Sequence, residues 1–107
     1  MIDDLLQTPV FGLTWDIGHS KVSGEKDVPF IMERADNLIH FHIHDGSENP
    51  PRNHLALGDG EIDLNERISF AERLNARCVL ETKTIDALKK SVQWLKCTNI
   101  SESNKNQ

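Results

Sequence analysis

Residues 38–46 read LIHFHIHDG, which sets His40, His42 and His44 at alternate positions with Asp45 directly behind them. Alternation is the period of a β-strand, so the three imidazoles share one face while Ile39, Phe41 and Ile43 share the other. The chain has five histidines, and three of them stand on this one face. Two further stretches carry comparable groups at the end of an apolar run: Asp16 and His19 in FGLTWDIGHS, and Glu81 in RCVLE. Aspartate, histidine and glutamate together make a ligand set for a divalent metal such as Mn, Zn, Co or Mg. Each residue also has a plainer use. Asp16 can cap a turn, His40 can pack or support a ligand from behind, and His44 can touch substrate or face solvent. Glu81 is harder to explain away, because an unpaired carboxylate ending an apolar strand is costly. Cys78 reads as core.

The elements that must position these groups alternate between strand and helix. Residues 2–7 read as a helix tail ended by Pro9, and residues 10–16 as a first strand. Residues 18–27 read as a loop. Asp27 and Pro29 open a helix over 28–35. NLIHFHIH is the second strand, and residues 45–61, with two prolines and three glycines, read as a long loop. A third helix spans 63–75, where Leu64, Ile68, Ala71 and Leu74 recur at spacings of three and four. Residues 77–81 form a third strand. A last helix spans 84–96, with Ile85, Leu88, Val92 and Leu95 on one stripe. Residues 97–107 are polar, and the sequence predicts a disordered tail there. Strands separated by helices form parallel sheets, and the C-terminal edge of such a sheet is where sites are built. Asp16, His42, His44 and Glu81 all fall on that edge, so the sequence predicts one site made from three strand ends.

Composition sets the outer bounds. The 107 residues suit one small domain, 37% hydrophobic and 27% charged. That is polar for a globular domain, so part of the core is expected from a partner chain. A formal charge of −5 argues against nucleic-acid binding through a basic surface. No run of about 18 apolar residues is present, so no membrane span is expected. MIDDLLQTPV lacks the order of a signal peptide, and Cys78 and Cys97 match no zinc or redox spacing. A reduced, cytoplasmic protein is the expectation.

FGLTWDIGHS, IHFHIHDG, HLALGDGEIDL and CVLET, in this order and at this spacing, resemble the xylose isomerase-like TIM barrels: the sugar and sugar-phosphate isomerases and epimerases, with the related endonuclease IV group. The likeness covers roughly residues 5–95. It implies an α/β fold in which residues 1–96 are the last three βα units of a (β/α)8 barrel of about 250 residues, with the barrel incomplete in this chain. It also implies Asp16, His42 and Glu81 as metal ligands, with Glu81 and His19 catalytic and His19, His44 and His54 touching a sugar or sugar-phosphate substrate. The family's first metal glutamate, on the fifth strand, has no counterpart here. Endonuclease IV carries a metal-binding aspartate where this chain has Arg52, so the isomerase/epimerase branch is preferred. A homo-oligomer, or a partner supplying the missing strands, is expected. Two other readings compete: a non-catalytic remnant, and a cupin-like metal protein in which His42, His44 and Glu48 fit an H-x-H-x3-E spacing.

Overall fold

The computed structural model describes residues 1–98. Three strands, β1 (Leu13–Asp16), β2 (Leu38–Ile43) and β5 (Arg77–Leu80), form a parallel sheet with β2 in the centre. Five helices accompany them: α1 (Ile2–Leu6), α2 (Ile17–Val22), α3 (Val28–Glu33), α4 (Leu64–Arg73) and α5 (Ile85–Cys97). The remaining strands, β3 (Asp45–Glu48) and β4 (Pro51–Leu55), pair with each other as an antiparallel hairpin. The parallel βα pattern excludes the all-β cupin reading.

Alternation along the strands sends Trp15, Phe41 and Ile43 to the helix-covered face, where all three are buried. Phe70 of α4 meets Trp15 and Phe41 edge-on, with ring centroids 6.3 and 6.2 Å away. The Trp15 indole N–H donates to Ser20 Oγ at 2.7 Å, and the Ser20 hydroxyl donates to Asp27 Oδ2 at 2.8 Å. This relay satisfies a buried indole and ties α2 to the start of α3. Asp27 therefore sits at the N-cap of α3 as expected, but spends its side chain on Ser20 and caps no amide. Asp63 and Thr84 do cap α4 and α5, accepting from the amides of Glu66 and Ala87.

Four sequence expectations change. Residues 18–22, read as the start of a loop, belong to α2, because the Asp16 side chain caps it by accepting from the His19 amide. The long loop after β2 contains the β3–β4 hairpin, with Pro51 at the first position of its strand, where a missing N–H costs nothing. Ile39 is 57% exposed while Leu38 is buried. A register shift pairs Leu13 with Leu38 and Thr14 with His40, so Ile39 bulges out of the alternation. Finally, the Ile85–Leu88–Val92 stripe of α5 faces outward, and the helix packs through Ser91, Trp94 and Leu95. Cys97 closes α5, and residues 99–107 of the expected disordered tail lie outside the described residues.

The loop after β2 is held by one carboxylate. Asp45, 1% exposed, accepts from the amides of Gly46, Gly58, Gly60 and Ile62 at 2.8–3.2 Å. Gly60 must lack a side chain, since a Cβ there would lie 2.4 Å from Asp45 Oδ1. Hydrogen bonds to a buried charged group are worth more than neutral ones. Asp45→Ala should therefore lower the unfolding free energy by about 2–4 kcal/mol, read as a shift in the urea midpoint. A loss within about 0.5 kcal/mol, the range of an ordinary surface change, would contradict this role.

Candidate metal centre

Asp16 and His42 are register partners at the ends of β1 and β2. Glu81 follows β5 directly, and its amide donates to Ile43 O at 2.9 Å, extending the ladder by one bond. Parallel register thus brings the three ends level. One ligand atom from each of Asp16, His42 and Glu81 can be chosen so that all lie within 4.8 Å of one another. His42 Nδ1 is 2.7 Å from Glu81 Oε1 and 3.8 Å from Asp16 Oδ2. Glu81 Oε1 is buried, yet it has no hydrogen-bond partner despite the nearby imidazole nitrogen. A buried, unpartnered carboxylate oxygen is expensive unless something else neutralises it. The donor set of two carboxylates and one imidazole, with that orphaned oxygen facing into it, fits a divalent cation.

A second group, His19, His44 and His54, lies beside the first. His19 is half-exposed, with Nδ1 2.9 Å from Asp16 Oδ2. His54, in β4, has a left-handed φ of 56° and stacks on His44 with centroids 4.3 Å apart. Its Nδ1 is 2.8 Å from Asn53 Oδ1, which can only accept, so Nδ1 carries the proton and Nε2 is free. Burial above all holds His54 below its ordinary pKa and therefore neutral. His44 is fully buried, which removes the solvent-facing alternative. Its Nε2 contacts Asp16 Oδ1 at 2.5 Å, and its Nδ1 accepts from the His54 amide at 2.7 Å. His40 is partly buried, edge-on to His42 at 5.1 Å, with a buried and unpartnered Nε2.

The model of the xylose isomerase-like TIM barrel family matches residues 1–97. The chain belongs to that family. Comparison with curated proteins and with solved structures returns no match. In this member of the xylose isomerase-like family the described sheet is unclosed: β1 and β5 are both free edges. The face opposite the helices carries Thr14, Asp16, His40, His42, Arg77 and Val79 by register.

Two contributors escaped the sequence reading. Lys83 lies near enough to bear on His54, and its only signal was its place two residues past Glu81. Gly18 gives way to His44, since a Cβ on it would lie 2.0 Å from His44 Cε1. The glycine of DIGH was visible, but its neighbour was not. No described helix is long and apolar enough to cross a membrane, and Cys78 and Cys97 are both free and exposed, so Cys78 is not the core residue its sequence suggested.

Burial by itself raises the Asp16 carboxyl pKa, but the hydrogen bonds from the His19 amide and from His44, with the His19 ring beside them, hold the group below its ordinary 3.8. A depressed carboxyl contributes stability that is complete above the unfolded value and lost as the pH falls through the folded one. Acidification past pH 3.8 should therefore cost the wild type more stability than Asp16→Asn. Thermal melts of both proteins between pH 6 and pH 3 test this, and parallel declines would contradict it.

Proposed function

We propose that Asp16, His42 and Glu81 hold one divalent metal, Mn, Zn, Co or Mg, in a sugar or sugar-phosphate isomerase/epimerase-like domain. The observation that carries this reading is the convergence of the three strand ends on a buried, unpartnered Glu81 oxygen. A bound metal would act as a Lewis acid towards the carbonyl and hydroxyl oxygens of the sugar. The chain's own residues supply the rest. Glu81 is both ligand and general base, taking a proton from the carbon next to the carbonyl. His19, half-exposed beside Asp16, reaches a substrate hydroxyl. His54, neutral with Nε2 free, accepts from another.

The same reading makes this chain the last three βα units of a barrel. Free edges on β1 and β5, and an outward stripe with Ile85 71% and Leu88 42% exposed, call for further strands and helices. Those strands would come from elsewhere in a longer chain or from a partner, a second copy included, and would bring the missing general acid. One observation favours a second reading, a remnant that keeps its ligands without turnover: among the described residues no second glutamate joins the group.

The test is metal content per chain in the main size-exclusion peak. We expect about one divalent ion per wild-type chain, lost in His42→Ala and Glu81→Gln. Equal metal in wild type and both variants would overturn the assignment. A metal-loaded protein that interconverts no ketose or aldose would favour the remnant.

A further inference from the structure

His44 belongs geometrically to the three-histidine group, yet it has no nitrogen to give a cation. Its Nδ1 accepts from the His54 backbone amide at 2.7 Å, so that nitrogen is unprotonated. The remaining proton is therefore on Nε2, which points at Asp16 Oδ1 2.5 Å away. Occupied at both ends, fully buried, stacked face to face on His54 and pressed against Gly18, the ring cannot turn.

Asp16 shows what this achieves. Its Oδ1 accepts from the His19 amide at 2.9 Å and from His44. Its Oδ2 is the oxygen that faces His42 and the His19 ring. One oxygen is thus saturated by hydrogen bonds while the other is presented to the site. We infer that His44 is a positioning residue: as the neutral Nε2–H tautomer it pins Asp16 Oδ1 and leaves Oδ2 as the single oxygen offered to the metal. The inference rests on the metal reading above. It assigns His44 neither to metal ligation nor to substrate contact. It also ties the hairpin to the site, because the His54 amide that sets the His44 tautomer comes from β4. Groups that orient a ligand from behind change metal affinity by about ten- to a hundredfold when removed.

The experiment pairs two readouts on the whole chain. Long-range proton–nitrogen spectra of the histidine rings report the His44 tautomer without any substitution. Cobalt(II) titration, followed by its visible absorption, compares the wild type with His44→Gln and His44→Met. Both replacements fill similar volume, but only glutamine carries an N–H near the Nε2 position. We expect the Nε2–H tautomer, cobalt affinity in His44→Gln close to wild type, and affinity in His44→Met weaker by about ten- to a hundredfold with an altered absorption band. An Nδ1–H or doubly protonated His44 would overturn the proposal even if neither variant folds. So would His44→Met binding cobalt as tightly as the wild type. A wild type that binds no cobalt would instead sink the metal reading itself, and the positioning role with it.

Discussion

Everything at this site depends on the register of three parallel strands. Asp16 pairs with His42, Ile43 pairs with Leu80, and Glu81 continues that ladder through its amide bond to Ile43. A slip of one residue in any strand would turn its polar group to the helix side and an apolar one to the open face. The burial of Trp15, Phe41 and Ile43 opposes such a slip, since each would lose its place under the helices. The same core that stabilises the sheet thus holds two carboxylates and an imidazole in one small volume. Two like charges held close and partly out of water repel, and a cation between them removes that cost.

Around this level the chain builds a series of supports. Asp45 gathers four backbone amides and shapes the segment that follows β2. That segment delivers His54, whose amide closes on His44, and His44 closes on Asp16. The Asp16 carboxylate in turn starts α2 by capping it, which carries His19 to the rim. Local folding and site assembly are here the same set of hydrogen bonds. The sheet's other face is the weak point. His40 has a buried, unpartnered nitrogen, and Val79 is 40% exposed on the face opposite the helices.

The sequence made the strand order and the clustering of Asp16, His42 and Glu81 legible for a physical reason. Period-two alternation in LIHFHIHDG and carboxylates at the ends of apolar runs are local signals, and parallel topology converts strand ends into neighbours without knowledge of any contact. What it hid was set by contacts between distant residues. Asp45 looked like one more acidic group at the site, but three of its four partners lie 13, 15 and 17 residues away and turn it into a loop anchor. The bulge at Ile39 follows from pairing with β1, and the hairpin was masked by its prolines and glycines. The apolar stripe of α5 does not mark the packed face: Ile85, Leu88 and Val92 face outward, and Leu95 packs inward beside Ser91 and Trp94.

The central claim is that the cation lies among Asp16, His42 and Glu81 and not among the three histidines beside them. X-ray absorption on the metal-loaded protein counts imidazole ligands directly. Oxygen donors with a single imidazole, that of His42, are expected around the ion. Two or three imidazoles would place the ion among His19, His44 and His54 instead.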